Sequence, residues 1–233
     1  MTTISDEVLA RFAAIPTSTI CDASIKGRIR PPEKMVVSSV QPVLPRPLSA
    51  VGRARTERRV LVRDQERSAL VSNRKLASQL TDEASPGDFL VITAPAGPPF
   101  AVFGGMMALK AKRRGVTGVV TDGLTRDVGE IIDHQLAVWA NGVTPIAGGY
   151  GGYSVAEVNC PVVCGGIEVL PGDVIVADSD GVMVIPADEA LALLPLCEEM
   201  NAAEQVTERA LASGASMSDA YPSRDYYANS SEK

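Results

Sequence analysis

The sequence has few aromatic residues, few cysteines and a single histidine, and each shortage narrows what the protein can be. Aromatic residues make up 4% of the 233 residues, so we expect a core built mainly from Val, Ile, Leu and Ala. Four cysteines in a chain of this length indicate reduced thiols rather than a disulfide framework. Cys160 and Cys164 are expected on one face of one strand, but with His134 as the only histidine no structural zinc site is predicted.

Positive charge and long apolar runs are also scarce. The formal net charge of −6 argues against a general binder of nucleic acid or of anionic membranes. No apolar run reaches the ~20 residues that a membrane-spanning helix needs, and the N-terminus has neither the basic start nor the apolar segment of a signal peptide. The sequence therefore predicts a cytoplasmic protein that acts on a small molecule, with no nucleic acid and no membrane as partners.

One basic run differs from this acidic background. The segment RARTERRVLVRDQER carries six arginines, at positions Arg53, Arg55, Arg58, Arg59, Arg63 and Arg67. The commoner explanation for such a run is the solvated face of a strand and of the turn that follows it. The other explanation is an anion site that attracts a small anionic substrate, and both stay open at this stage.

Glycine and proline are plentiful, at 20 and 16 residues, which predicts short elements joined by frequent turns. The apolar spacing and the capping residues predict two short helices within residues 1–26, an irregular proline-rich stretch over 28–47, a strand over 49–62, a helix over 65–80, a strand over 89–93, a helix over 106–114, a strand over 116–121, a helix over 127–135, several closely spaced strands over 157–186 and a long helix over 188–211.

The middle of this pattern, strand–helix–strand, followed by a region of clustered strands, is typical of an α/β domain with more than one layer of sheet. We predict a single domain over residues 1–213. The polar segment 214–233 is predicted as a tail that is either disordered or lies on a neighbouring subunit.

Arg126 and Asp127 follow the strand predicted at 116–121, with Asp122-Gly123 as the turn. Ligands of α/β sheets bind at the carboxyl ends of the strands. A guanidinium suits a carboxylate or an oxygen that gains negative charge, and an aspartate suits Mg²⁺ or Mn²⁺. Together the two residues are suited to hold a metal and an α-keto acid. The alternative is an ordinary ion pair in which Asp127 caps a helix.

The pair Gly104-Gly105 precedes the helix predicted at 106–114. Glycines at this point leave the amides of Met106 and Met107 approachable, and a helix N-terminus attracts anions. These amides are therefore candidates for binding a carboxylate that Arg126 also contacts. The alternative is that the glycines only permit tight packing.

Three other features receive structural interpretations. Asp122 is expected in a turn rather than as a base. His134 lies on the helix predicted after the site and is expected to be a surface or packed histidine rather than a catalytic one. The sequence DSDG at 178–181 is predicted to be a hairpin turn, because the spacing and the final glutamate of a calcium loop are missing.

Four segments together resemble a known family: IPTSTICDAS, SPGDFLVI, GGMMALKAKRRGVTGVVTDGLTRD and PVVCGGIEVLPGDVIVADSDGVMVIP. They resemble the RraA-like proteins and the class II aldolases of 4-hydroxy-4-methyl-2-oxoglutarate and 4-carboxy-4-hydroxy-2-oxoadipate. The resemblance covers roughly residues 8–205. It implies a swivelling β/β/α fold, a trimer or hexamer, and a Mg²⁺- or Mn²⁺-dependent lyase that cleaves a 4-hydroxy-2-oxo diacid to pyruvate or decarboxylates oxaloacetate.

The resemblance also implies roles for individual residues. Arg126 would contact the keto oxygen and stabilise the pyruvate enolate, Asp127 would hold the metal, and the amides of Met106 and Met107 would bind the pyruvyl carboxylate. One position departs from the aldolases, which carry an acidic residue twenty residues before the Arg-Asp pair. Gly105 stands at that position, so the group that acts on the transferred proton is missing. This leaves two alternatives: a non-catalytic regulator of a ribonuclease, or a different metal-assisted reaction.

Overall fold

A computed structural model describes residues 3–44, 49–62, 74–148 and 152–221. The strands are β1 (Gln41–Pro42), β2 (Ala50–Leu61), β3 (Asp88–Thr93), β4 (Ala101–Phe103), β5 (Gly118–Thr121), β6 (Leu124–Thr125), β7 (Ala137–Ala140), β8 (Tyr153–Val158), β9 (Val162–Cys164), β10 (Ile167–Val169), β11 (Val174–Ala177) and β12 (Val182–Ile185). The α-helices are α1 (Asp6–Phe12), α2 (Thr17–Gly27), α3 (Arg74–Asp82), α4 (Gly105–Arg113), α5 (Val128–Asp133), α6 (Ala190–Ala212) and α7 (Met217–Ala220), and Pro32–Lys34 forms a 3₁₀ turn.

An eight-stranded mixed sheet organises the fold. Its order is β1-β7-β5-β3-β2-β11-β12, and β8 pairs with the second half of β2. The pairs β2–β3, β3–β5 and β5–β7 are parallel, whereas β11 pairs with β2 and β12 in the antiparallel sense. Two small sheets accompany it: the β9–β10 hairpin and the parallel pair β4–β6.

Apolar side chains pack on both faces of this sheet. Along β3, Phe89 and Val91 face the β9–β10 hairpin, and Leu90 and Ile92 face the helices α3, α4 and α5. Burial on both sides explains why this strand is an unbroken apolar run rather than an alternating one. A third apolar core joins α1, α2 and α6 to β11 and β12. The prediction of an α/β fold with layered sheet is confirmed.

Most predicted elements are present with boundaries shifted by one or two residues. Ser5 accepts a hydrogen bond from the Val8 amide at 3.3 Å at the start of α1, and Gly115, with φ of 78°, follows the end of α4. The turn at 178–181 joins β11 to β12 as predicted, and the Asp178 carboxylate there accepts hydrogen bonds from the amide and hydroxyl of Thr17 at 2.9 and 2.8 Å.

Several expectations need correction or lie outside the described residues. Cys160 and Cys164 do not share a strand: Asn159 has a φ of 58° and Pro161 follows, so β9 begins only at Val162. All four cysteines are free. Of the helix predicted at 65–80, residues 65–73 are outside the described part, and so are residues 222–233 of the tail. The domain boundary at 213 stays a prediction.

Within the described ranges, no helix is both long enough and apolar enough to cross a membrane.

Candidate active site

Two very short strands bring the predicted site residues together. Strand β4 ends just before Gly104 and β6 ends just before Arg126, and the two strands run parallel. The Arg126 amide and the Thr125 hydroxyl both donate hydrogen bonds to the Phe103 carbonyl at 3.1 Å. The chain that leaves β6 is therefore held beside the chain that enters α4. This pairing explains why residues 22 positions apart in the sequence meet.

A cavity of about 240 Å³ opens at this junction. It is lined by Arg59, Ala101, Val102, Phe103, Gly104, Met106, Met107, Arg126, Asp127, Ala147 and Gly148. Its volume is below the usual range for drug-sized ligands, so it suits a small molecule.

Arg126 and Asp127 form an ion pair, with 2.9 Å between Arg126 Nε and Asp127 Oδ2. Asp127 has a left-handed backbone, with φ of 57°, and stands at the N-terminus of α5 without capping it. Its Oδ2 instead accepts a hydrogen bond from the Gly105 amide at 3.1 Å, at the start of α4. Among the described residues, Asp127 Oδ1 and the two terminal nitrogens of Arg126 have no partner. The pair therefore keeps an open acceptor and two open donors.

The N-terminus of α4 has amides available for an anion. Its first backbone hydrogen bond runs from the Ala108 amide to the Gly104 carbonyl at 3.0 Å. The amides of Met106 and Met107 have no acceptor among the described residues. Gly104 is required here by close approach, because a Cβ at this position would lie 2.9 Å from Asp127 Oδ2 and 3.0 Å from Arg126 Cγ. The structure thus brings Gly104, Met106, Met107, Arg126 and Asp127 to one cavity, which the buried Gly105 does not line; the roles of these residues stay predictions.

Glu130 fills the space where a side chain on Gly105 would lie. A Cβ on Gly105 would overlap Glu130 Oε2 and would lie 2.7 Å from Glu130 Cδ and 2.9 Å from its Cβ. Glu130 is one turn into α5, three residues after Asp127, so the ion pair and this carboxylate share one helix start. The space beside Gly105 is therefore occupied by a carboxylate from the neighbouring helix, although Glu130 is exposed and does not itself line the cavity. Sequence reasoning missed Glu130; its spacing of three residues from Asp127 was the available signal.

Arg59 is a second residue that sequence reasoning did not place at the site. The solvated-face explanation of the basic run is wrong for it, because its side chain is only 11% exposed. Its Nε donates a hydrogen bond to Glu57 Oε1 at 2.6 Å, and Glu57 is completely buried. Burial raises the pKa of Glu57, and Arg59 opposes that rise.

The other described arginines of the run are also paired with carboxylates. Arg53 contacts Asp6, and Arg55, which is largely buried, contacts Glu83. Only Arg58, which contacts Glu157, is exposed as the first explanation requires. Arg63 and Arg67 lie outside the described residues. The period-two pattern of a strand identifies which residues share a face but not what covers that face.

Asp122 and His134 have no place in the cavity. The Asp122 carboxylate accepts hydrogen bonds from the amides of Ala94 and Gly165 at 2.9 and 3.2 Å, and burial raises its pKa. This agrees with its predicted role in a turn. His134 follows the end of α5, and its Nε2 is buried without a hydrogen-bond partner among the described residues.

The donor set at the site suits a hard cation. Asp127 offers a free Oδ1, and the Glu130 carboxylate lies beside the amide that Asp127 accepts from. No group of three or more His, Cys, Asp or Glu suited to a metal is found in the described part of the chain. Mg²⁺ and Mn²⁺ are often bound by one or two carboxylates together with water and substrate oxygens.

The chain is a layered α/β protein with a cavity at which a helix N-terminus meets an Arg-Asp pair, and a carboxylate lies nearby. The chain belongs to the RraA-like (Aldolase/RraA) family, whose model matches residues 17–184. A protein of Halalkalibacterium halodurans described as a putative 4-hydroxy-4-methyl-2-oxoglutarate aldolase is 31% identical over 205 residues, which cover 88% of this chain and 89% of the relative. The 4-hydroxy-4-methyl-2-oxoglutarate aldolase of Thermus thermophilus is 33% identical over 111 residues, 48% of this chain and 66% of the relative.

Solved structures share the fold. An uncharacterised protein of Pseudomonas syringae superposes with a TM-score of 0.80 at 22% identity, covering 94% of both chains. RraAS2 of Streptomyces coelicolor, described as an unusual member of the RNase ES inhibitor RraA family, superposes with a TM-score of 0.76 at 24% identity, covering 89% of this chain and 98% of the other. The predicted RraA-like fold is confirmed. The family includes proteins named as aldolases and proteins named as ribonuclease inhibitors.

Proposed function

We propose that the protein is a divalent-metal-dependent lyase that breaks a carbon–carbon bond in a 2-keto acid and releases pyruvate. The substrate is a 4-hydroxy-2-oxo diacid, oxaloacetate, or both. The observation that carries this proposal is the Glu130 carboxylate in the space beside Gly105, next to the Arg126–Asp127 pair. The relatives named as aldolases support the same reaction class.

The open donors of the cavity suit the pyruvyl half of such a substrate. The amides of Met106 and Met107 bind its carboxylate at the positive end of α4. The terminal nitrogens of Arg126 donate to the 2-keto oxygen, on which negative charge develops as the bond breaks. A guanidinium that is already held by Asp127 stabilises that charge without reorganising.

Asp127 is the residue that would hold Mg²⁺ or Mn²⁺, through its free Oδ1. The cation, when bound, supplies a Lewis acid for the keto oxygen. Asp127 also fixes the geometry of the site, because its Oδ2 links Arg126 to the first amide of α4.

Glu130 supplies the base that Gly105 lacks. In aldol cleavage its carboxylate takes the proton of the C4 hydroxyl through a water molecule. C4 then becomes a carbonyl carbon, the C3–C4 bond breaks, and its electron pair forms the enolate of pyruvate. The same proton is returned to C3 to complete pyruvate. In oxaloacetate decarboxylation the C3–C4 bond breaks and C4 leaves as CO₂, so no hydroxyl proton has to be removed. The electron pair of that bond forms the same enolate, and a proton from water then adds to C3 to complete pyruvate.

Steady-state release of pyruvate tests the proposal. The assay uses oxaloacetate and 4-hydroxy-4-methyl-2-oxoglutarate, with Mg²⁺ or Mn²⁺ and with EDTA. We expect turnover that EDTA abolishes, and a loss of about 10²–10³-fold in kcat for Arg126→Ala, because one donor to the developing oxyanion is removed. Arg113→Ala is the matched control, since Arg113 lies exposed on α4 outside the cavity.

Equal rates for Arg126→Ala and the wild type would contradict the lyase. The non-catalytic ribonuclease regulator was favoured by Gly105 alone, and Glu130 in that space weakens it. Two results together would favour the different metal-assisted reaction. Neither substrate would release pyruvate, and the protein would turn over another keto acid in a reaction that oxalate inhibits when the metal is present.

A further inference from the structure

Arg59 brings a second guanidinium into the cavity that Arg126 already lines. Within the described ranges its Nε is the one nitrogen with an acceptor, the Glu57 carboxylate. Its two terminal nitrogens have no acceptor among the described residues. Nη1 lies 4.0 Å from the position that a Cβ on Gly148 would take, and Gly148 is also part of the cavity lining. The free end of Arg59 is therefore directed to the cavity wall formed by residue 148.

The residue that holds Arg59, Glu57, is in an environment that lowers the stability of the fold. Glu57 is fully buried, and its Oε2 has no hydrogen-bond partner among the described residues. A buried carboxyl group with an unsatisfied oxygen destabilises a protein. The position of Glu57 fixes the Arg59 side chain by its Nε and leaves the other two nitrogens without an acceptor among the described residues.

The backbone is also adjusted at this point. The pairing of β2 with β8 shifts register between Arg58 and Arg59. Irregularities of this kind re-aim a side chain and occur next to active sites. The side chains of Arg58 and Arg59 therefore lie in different environments. Arg58 is exposed to solvent and contacts Glu157, whereas Arg59 is nearly buried and lines the cavity.

Under the proposed function, the pyruvyl half of the substrate already uses the amides of α4 and the Arg126 guanidinium. The positive charge of Arg59 is then left for a second anionic group. We propose that Arg59, oriented by Glu57, binds the second carboxylate of a small keto diacid and so sets a preference for dianionic over monoanionic keto acids. This inference rests on the proposed function for the place of the first carboxylate.

Binding of non-reacting ligands tests Arg59 without relying on turnover. Calorimetry with Mg²⁺ present measures Kd for pyruvate and for 2-oxoglutarate, a keto diacid that has neither the hydroxyl nor the β-carboxylate needed for cleavage. We expect the wild type to prefer 2-oxoglutarate, and Arg59→Gln to reduce that preference about tenfold to a hundredfold, the range for one hydrogen bond to a charged group. Arg58→Gln is the matched control and should keep the wild-type ratio.

Arg59→Gln leaves the Glu57 carboxylate buried without its partner, which can prevent this variant from folding. The double variant Glu57→Gln/Arg59→Gln removes both members of the pair and keeps their approximate volumes. It should fold, as checked by circular dichroism and thermal unfolding, and it should also lose the preference. Glu57→Gln alone retains an acceptor for Arg59 Nε and should keep the preference.

The outcomes separate this inference from the proposed function. A folded variant without Arg59 that still prefers 2-oxoglutarate overturns the inference, as does a wild type without any preference. If pyruvate release is observed under either of those results, the lyase stands and only the role of Arg59 fails. If no keto acid is cleaved but the preference depends on Arg59, the lyase fails and the anion site stands.

Discussion

At the residue scale, Glu130 has two conceivable tasks that give different kinetics. As the base in aldol cleavage it acts on the C4 hydroxyl proton, which oxaloacetate does not have. We expect Glu130→Gln to lower aldol cleavage by about 10²–10⁴-fold, the usual contribution of general acid–base catalysis, and to lower decarboxylation much less. Comparison of kcat for the two substrates measures this split.

Asp133→Asn is the control for the Glu130 variant, because Asp133 is an exposed acid at the end of the same helix. It should leave both reactions unchanged. An equal loss of both reactions in Glu130→Gln would instead mean that the carboxylate serves a step common to them, such as holding the cation.

The burial of Glu57 predicts a pH dependence of stability. Its pKa in the folded protein is raised above the ordinary value of 4.5, chiefly by burial. The unfolded chain therefore loses this proton at lower pH than the folded chain does, and stability falls as pH rises from the unfolded pKa to the folded pKa. Urea titrations between pH 4 and pH 8 should show the wild type losing free energy of unfolding relative to Glu57→Gln. A difference that is constant with pH, or that grows in the opposite direction, would contradict this.

At the scale of elements, the site depends on the short distance between the N-termini of α4 and α5. Gly104→Ala places a methyl group 2.9 Å from Asp127 Oδ2 and 3.0 Å from Arg126 Cγ. Because the two helix starts have to move apart, we expect a destabilisation of about 1–3 kcal/mol and a loss of activity of about 10²-fold from misplaced groups. Thermal unfolding and pyruvate release measure the two effects.

Gly129→Ala, on α5 itself, is the matched control. A Cβ there meets nothing within 4 Å, and alanine in a helix is more stable than glycine by about 0.5–1 kcal/mol. This variant should keep its activity and unfold at slightly higher temperature. Similar losses in both glycine variants would mean that close approach at Gly104 is not what the site requires.

The same junction explains what could and could not be predicted from the sequence. Strands and helices such as β3 and α4 were predictable because their apolar spacing and their caps agree. Strands β4 and β6 have three and two residues, too few for any alternation to be recognised, yet their pairing brings Gly104 to Arg126. Glu130 and Arg59 were missed for a related reason: their positions depend on a left-handed Asp127 and on a shift in strand register, which single-sequence patterns do not encode.

At the scale of the whole molecule, the surroundings of the cavity bear on assembly. Exposed apolar side chains flank it: Met106 follows Gly105, and Val143 and Ile146 lie on the segment that pairs with β6 and β4. Apolar residues grouped at a surface are typical of sites of protein association. They agree with the trimer or hexamer that the family resemblance implies, which stays a prediction.

Size-exclusion chromatography with light scattering tests this assembly directly. A mass of three or six times 24.5 kDa is expected for the wild type. Val143→Lys should lower that mass, because a buried lysine at a subunit contact is unfavourable. Val163→Lys is the control, since Val163 is equally exposed but lies on the β9–β10 hairpin. If the wild type is a monomer and still releases pyruvate, the cavity is complete within one chain. The exposed apolar residues beside it then have to be explained by the substrate or by another partner.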